Sequence, residues 1–289
     1  MLTIPLKIKM IKKFLVLLTI SLCSVAHAEY TAKNKIIKVV IPQSVNSGLG
    51  FIYNEIEAYA RTQQITMIPV FKPGADGRIG IDYASKQQRD TLLFSTISDY
   101  AHADVKFVNV SLISKTPMVL VASKNSKIMT TNDIIKQQKE QAEKLTWGYA
   151  SSVQLGLINT VAVVNNIEPT KMYKVPFSVT AGFQTSIVNG DIDLAFILPP
   201  HAESLSAAGR LTIVEIDEHT KNGLAAKENS TALFLPSNSS ADLNKFWNKF
   251  TNGLLNDPAF KKAMSDRRIE SHTNADRVKL TNAINGWKL

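Results

Sequence analysis

Cysteine is nearly absent. The 289 residues contain one, Cys23, and it falls in an N-terminal stretch with the form of an export signal, so the chain beyond that stretch has no thiol and no disulfide. Histidine is also sparse, at five residues. His102, His201, His219 and His272 are dispersed without the spacing a metal site needs. No G-x-S-x-G elbow, H-E-x-x-H pair, P-loop or G-x-G-x-x-G follows a strand in the required register, which removes the common nucleophilic, zinc-hydrolytic and nucleotide-binding readings. No internal repeat is evident and low-complexity stretches are few. The lysines do not cluster with aromatic residues, so nucleic acid is not an expected partner.

The N-terminus is the one long apolar feature. Lys7, Lys9, Lys12 and Lys13 form a basic region, Phe14 to Val25 an apolar run, and Ala26-His27-Ala28 a small-x-small cleavage site. This pattern predicts a signal peptide over residues 1–28, cleaved after Ala28, with release into the periplasm. A lipid anchor at Cys23 is the alternative, and Leu22 stands where such signals require a small residue. Whole-chain charge is +9, and the segment holds four lysines and no acid, leaving 9 − 4 = +5 over 261 residues (289 − 28). That balance suits a small anionic ligand or plain solubility. A hydrophobic fraction of 45% over this length supports one large or two medium cores.

What is present is a series of strand, small-residue loop and helix units. Ile36-Ile37-Lys38-Val39-Val40-Ile41 is a β-branched run of buried-strand type, ended by Pro42-Gln43-Ser44-Val45-Asn46-Ser47-Gly48-Leu49-Gly50, with a helix expected from Phe51 to Arg61. The second unit is the most compressed. After a strand from Ile65 to Phe71, Lys72-Pro73-Gly74-Ala75-Asp76-Gly77-Arg78-Ile79-Gly80 stops the strand, turns and opens a helix running to Lys86. A loop feeding a helix N-terminus presents free N–H groups, which suits a carboxylate; an ordinary strand-to-helix turn would look the same. Thr91 to Ser95 is a third strand, ending in Ser95-Thr96-Ile97-Ser98-Asp99, where the hydroxyls fit either ligand binding or helix capping.

These segments, in this order, resemble the tripartite tricarboxylate transporter receptors, also called TctC or Bug proteins. Lys72 to Gly80 is similar to their RPGAGG-containing signature, Lys115 to Ala122 to their SVPLVLVV strand, and Leu145-Thr146-Trp147-Gly148-Tyr149-Ala150-Ser151-Ser152-Val153-Gln154 to their LNYGSAGVGSPQ segment. Lys174-Val175-Pro176-Phe177 through Asp193 resembles HVPYKGGAPALTDLLGGQVD, and Ala207 to Val214 resembles IKAGKLRALAV. The chain departs from the pattern in its loops. Asn46 and Ser47 replace glycines, Gly50 replaces an aspartate that would cap a helix or orient a ligand, Val179 and Thr180 replace paired glycines, and Ile197 stands at a frequent aspartate position.

The resemblance implies an α/β chain with the type II periplasmic-binding-protein fold, two α/β domains with a ligand cleft between them. The first domain would comprise residues 29–117 and 231–289, with the final helix returning to it through Trp287, and the second residues 118–230. It implies a receptor that binds a small organic anion, of the carboxylate class, and delivers it to membrane permease subunits of a tripartite transporter. Such a receptor is expected to be a monomer with no catalyst, cofactor or metal. Ligand contacts are expected from Ser44, Asn46, Ser47, Gly48, Gly74, Ala75, Asp76, Ser95, Thr96, Ser98, Tyr149, Ser151, Ser152, Gln154, Val179 and Thr180. A periplasmic sensor that presents its ligand to a signalling partner is the alternative from another class. A serine hydrolase built on Ser98 or Ser151 is a third. From Thr131 to Lys144 a solvated helix is expected, from Asp217 to Asn229 a polar return crossing, and from Ser240 to Leu255 an amphipathic helix with Leu243, Phe246, Trp247, Phe250 and Leu254 on its core face.

Overall fold

The computed structural model describes residues 30–88, 90–140, 144–177, 180–225, 227 and 229–288; the side chains of 140 and 180–183 are left aside. Two sheets organise the chain from Ala32 onward. The first has six strands in the order β11-β4-β10-β3-β1-β2, formed by β1 (Ile36–Ile41), β2 (Thr66–Phe71), β3 (Thr91–Thr96), β4 (Phe107–Lys115), β10 (Ser230–Pro236) and β11 (Glu270–Ser271). The second has five in the order β7-β6-β8-β5-β9, formed by β5 (Val119–Ser123), β6 (Leu145–Tyr149), β7 (Met172–Pro176), β8 (Leu194–Ile197) and β9 (Leu211–Ile213). The sheets define two lobes.

Burial explains the strand order. All six residues of β3 and all seven of β10 are buried. Such two-sided burial needs strands that are apolar or finely polar on both faces, as Thr91 to Thr96 and Ser230 to Pro236 are. β1 pairs in parallel with β2 and β3, whereas β10 is antiparallel to both β3 and β4. The outer strand β2 carries Pro69, whose missing N–H is tolerated at an edge.

Around the first sheet lie α1 (Gly48–Thr62), α2 (Arg78–Ser85), α3 (Ile97–Ala101), α9 (Ala241–Asn256), α10 (Pro258–Asp266) and α11 (Arg277–Trp287). α2, α3 and α11 pack over Val40, Leu93, Leu112 and Phe234, while α1, α9 and α10 form the other helical group. α9 buries Leu243, Trp247, Phe250 and Leu254 as its spacing predicts, while Phe246, expected on the same face, is only half-buried. The second sheet is flanked by α4 (Thr131–Glu140), α5 (Ser152–Val164), α6 (Thr180–Asn189), α7 (Pro199–Ala207) and α8 (Glu218–Ala225). Of the helix expected over Thr131 to Lys144, Thr131–Glu140 is seen as helix, and residues 141–143 lie outside the described residues. The polar stretch after Asp217 is not plain loop, since it contains α8. That helix starts because Asp217 accepts hydrogen bonds from the Thr220 N–H and hydroxyl, at 2.9 Å each, and from the Thr131 hydroxyl. These donors, led by the Thr131 hydroxyl, hold its carboxyl down to about 2.

The chain crosses between the lobes after β4 and returns before β10. The two crossings touch, since the Thr116 N–H donates to the Asn229 carbonyl at 2.8 Å. A single apolar cluster spans both lobes, running from Val40, Leu93 and Phe234 through Leu280, Ile284 and Trp287 to Val153, Leu157, Leu120 and Trp147. The joint is close: a Cβ on Gly156 of α5 would lie 2.4 Å from Trp287 Cζ3. A second cluster, including Val121, Ile187, Ala195, Ile197 and Leu211, fills the opposite face of the five-stranded sheet.

Trp287 belongs to a helix at the far end of the chain, yet it sits in the core shared by both lobes. Trp287→Ala should therefore cost about 3–5 kcal/mol in urea unfolding, as for other large-to-small core changes. Phe246→Ala, at a half-buried position on α9, should cost clearly less. Equal losses would show that the C-terminal helix does not tie the lobes together.

Candidate functional site

Four loops lie at the carboxyl ends of β1, β2, β3 and β6, where α/β sheets leave their crevice. In the first, residues 42–47, the Ser47 Oγ accepts from the Gly50 N–H at 3.2 Å and so caps α1. The helix begins at Gly48, three residues before the expected Phe51. Replacing the expected aspartate with Gly50 therefore costs no cap. It answers a space requirement, since a Cβ at Gly50 would lie 2.1 Å from the Val45 carbonyl oxygen. Ser44 and Asn46 are exposed, and Gly48 faces open space.

The second loop holds an unusual run of left-handed backbone. Gly74, Ala75, Asp76 and Gly77 have φ of 122°, 48°, 51° and 82°. Ala75 and Asp76 carry side chains there at a local cost. The run is tied down by hydrogen bonds from the Gly77 N–H to the Gly74 carbonyl and from the Arg78 N–H to the Ala75 carbonyl, both 3.1 Å. The first turn of α2 presses on the first loop, so that a Cβ on Gly80 would be 2.7 Å from Pro42 Cα.

In the third loop Thr96 caps α3, its Oγ1 accepting from the Asp99 N–H at 3.3 Å. Ser95 is fully buried, with its hydroxyl unpartnered. In the fourth, Ser151 caps α5, accepting from the Gln154 N–H at 3.4 Å. Gln154 is buried and fully engaged. Its Oε1 accepts from the Ala150 N–H at 2.7 Å and from the Ser151 hydroxyl, and its Nε2 donates to the Phe196 carbonyl at 2.8 Å, tying the loop to β8. Tyr149 ends β6, with its carbonyl accepting from the Phe177 N–H. Val179 and the Thr180 side chain lie outside the described residues.

Asp99, which is not among the ligand contacts expected from the sequence, joins these loops. Its Oδ1 accepts from the Ser152 hydroxyl at 2.7 Å, across the line between the lobes. Its Oδ2 accepts from Gln43 Nε2 of the first loop at 3.4 Å. Gly77 of the second loop abuts it, because a Cβ there would be 3.1 Å from Oδ2. The Ser152 hydroxyl also lies 3.4 Å from Ser98 Oγ, which is 3.2 Å from Thr96 Oγ1. Three loops of one lobe and one of the other thus meet at a single carboxylate that is only 6% exposed. Burial pushes its carboxyl above the ordinary range; hydrogen bonds from Ser152, Thr96 and Gln43 oppose this, and Asp76 adds to it. Among the described residues, no group of three or more His, Cys, Asp and Glu is placed to hold a metal ion.

These two sheets, their antiparallel β10 and the double crossing are those of the type II periplasmic-binding-protein fold, two α/β domains enclosing a cleft. The sequence matches no family model and no curated protein. Solved structures share the fold. The periplasmic binding protein BugD superposes with a TM-score of 0.67 at 14% identity, covering 90% of this chain and 96% of BugD. MatC from Rhodopseudomonas palustris, solved with bound malate, gives 0.68 at 15% identity over 88% of this chain and 97% of its own. A further R. palustris protein, solved with adipate, gives 0.67 at 14% over 87% and 93%.

Two outcomes are expected. Gly50→Ala should destabilise the protein by roughly 1–3 kcal/mol, because the new methyl meets backbone rather than a movable side chain, while Gly48→Ala should be near neutral in the same unfolding titration. Asp99 binds its proton more tightly folded than unfolded. Its ionisation penalty is therefore absent below the ordinary carboxylate range and grows as pH rises through the higher folded value. Asp99→Asn should remove that decline, so that the difference in stability between variant and parent, measured by urea unfolding, moves in the variant's favour with rising pH. A flat difference would mean the carboxylate is not held at a cost.

Proposed function

We propose that this protein is an extracytoplasmic solute receptor of the TctC or Bug kind, exported through a signal peptide cleaved after Ala28 and working in the periplasm. It takes a small organic acid between two lobes and delivers it to the membrane permease of a tripartite tricarboxylate-type transporter. The lobes correspond to residues 29–117 with 231–289, and to 118–230. The receptor acts as a monomer, without catalysis.

The observation that carries this reading is the meeting of four loops from both lobes at Asp99 and Ser152. A receptor needs its ligand to touch both lobes, so that binding favours the closed arrangement. The neighbouring structures with malate and adipate support the organic-acid class. Asp99 narrows it. A ligand carboxylate belongs with the exposed loop backbone and the α5 N-terminus, where free N–H groups and the helix dipole favour an anion. Wherever the ligand reaches Asp99 it must donate a hydrogen bond, since two unpaired carboxylates in a buried site repel. Hydroxy acids and amino acids meet both conditions. Ser98 and Ser151, the serines of the hydrolase alternative, are engaged in the network around Asp99 and in capping α5, and among the described residues no histidine accepts a hydrogen bond from either hydroxyl.

A thermal-shift screen of the protein against mono-, di- and tricarboxylates, hydroxy acids, aromatic acids and amino acids tests this. A ligand at a hundred times its dissociation constant adds about 2.7 kcal/mol to stability. Ser152→Ala should weaken the best ligand by about 1 kcal/mol or more, and it should also lower the ligand-free melting point, because it removes the 2.7 Å hydrogen bond to the buried Asp99 carboxylate; affinity is therefore compared at a temperature where both proteins are folded. Ser151 is the poorer choice, because its loss removes a helix cap worth about 1 kcal/mol without touching Asp99. Silence across the panel would overturn the organic-acid reading.

A further inference from the structure

Among the polar contacts that cross from one lobe to the other, two differ in kind. Arg268, just after α10, pairs with Glu203 of α7, and both side chains are about half exposed. Water and salt screen such a pair, and it holds little. The Ser152 hydroxyl of α5 donates to Asp99 Oδ1 at 2.7 Å, and there the aspartate is 6% exposed. A contact of that second kind is sensitive to the charge of the acceptor.

The surroundings of Asp99 leave its charge uncompensated. Its hydrogen-bond partners among the described residues are neutral hydroxyl and amide groups. The first loop, β3, β10 and α5 contain no charged residue over 42–47, 91–96, 230–236 and 152–164. The second loop and α2 bring Asp76, Arg78 and Asp82, His102 closes α3, and α11 brings Arg277 and Lys279, all of them exposed. Asp76 acts on Asp99 unfavourably, as a like charge. His102 turns to its own helix, with Nδ1 2.7 Å from the Ser98 carbonyl oxygen.

The contact also sits beside the joint of the two lobes. Four residues after Ser152, Gly156 packs against Trp287 in the shared core. Residues 152 and 156 are about 6 Å apart along the helix. A rotation at that joint moves Ser152 only slightly, but a hydrogen bond of this length is lost once its ends part by about 1 Å. Water then takes the place of Ser152 at Oδ1, and an ionised carboxylate regains its hydration.

We propose that Asp99 and Ser152 form a latch between the lobes that is set by the protonation of Asp99: the neutral carboxyl keeps the lobes together, and the carboxylate releases them. The sign follows from linkage. Burial holds the Asp99 carboxyl above its ordinary value, and in an open molecule water returns it toward that value. The open form therefore binds the proton less tightly. Between the ordinary and the raised value, rising pH favours opening, by at most about tenfold in the open-to-closed ratio per pH unit for one proton. The receptor reading supplies the premise that the lobes move. On that reading a ligand that donates a hydrogen bond to Asp99 closes the lobes in the carboxylate state, while acid closes them with no ligand at all.

A distance measured across the lobes tests the latch. In a Cys23→Ser background, Ala58→Cys on α1 and Ala208→Cys after α7 are the only thiols, and both replace exposed alanines. Spin labels on them report the separation by pulsed dipolar spectroscopy, with no ligand added, between about pH 4 and 8. The distances should lengthen as pH rises. Asp99→Asn should keep the shorter distances at every pH, and His102→Gln should leave the transition in place. Ser152→Ala, which takes a donor from the carboxylate, should open at lower pH than the parent; it carries the test should Asp99→Asn fail to fold. Distances that ignore pH, a transition that survives in Asp99→Asn or vanishes in His102→Gln, or one unmoved in Ser152→Ala would each overturn the proposal. The ligand screen is read separately: a pH-dependent distance with a silent screen sustains the latch and removes the organic-acid reading, and the reverse removes the latch alone.

Discussion

A buried carboxylate with neutral donors around it is the constraint on which the centre of this molecule depends. Asp99 receives hydrogen bonds from Ser152 and Gln43 and rests against Gly77, so its position fixes three loops and one lobe boundary together. Neutral hydroxyl and amide donors satisfy a carboxylate only in part, and burial still raises its carboxyl above the ordinary range. The arrangement resembles half of a binding site already filled from within. An anion seeking the same place meets a charge of its own sign, and a donor group meets a waiting acceptor.

The helix starts around Asp99 are built from the residue types that a ligand site also uses. Ser47, Thr96 and Ser151 each cap a helix through the side-chain oxygen. In the sequence those hydroxyls read equally as ligand contacts. The geometry separates the two roles, since the capping oxygens are already hydrogen-bonded to N–H groups while Ser152 points across the lobe boundary. Gln154 likewise reads as a cleft residue from its place in the loop, but spends its amide on Ala150, Ser151 and Phe196.

The strands and most helices were legible because their signals are local. β-Branched runs such as Ile36 to Ile41 and the apolar stripe of α9 declare themselves within a few residues. The left-handed turn at Gly74 to Gly77 was visible through its glycines, though its continuation through Ala75 and Asp76 was not, because neither residue favours positive φ. α8 was missed for a different reason. Its residues lack an apolar period, and the side chain that starts it, Asp217, is also pinned by Thr131, 86 positions away in the chain. Asp99 was hidden in the same way. Its position three residues after Thr96 matches a helix start, and only a contact 53 positions distant with Ser152 reveals the second use.

The placement of β10 bears on how the molecule assembles. It lies between β3 and β4, which do not pair with each other, and it follows every strand of the five-stranded sheet in the chain. The five-stranded sheet uses one uninterrupted stretch from Val119 to Ile213, so all of its partners are available as soon as that stretch exists. The six-stranded sheet stays split, with exposed strand edges at β3 and β4, until the chain beyond Ser230 is present. Long-range pairing of this kind is slow to form and prone to mispairing while it waits. The edges of β3 and β4 therefore stay open to other strands until the final stretch of the chain, from Ser230 onward, is present to close them.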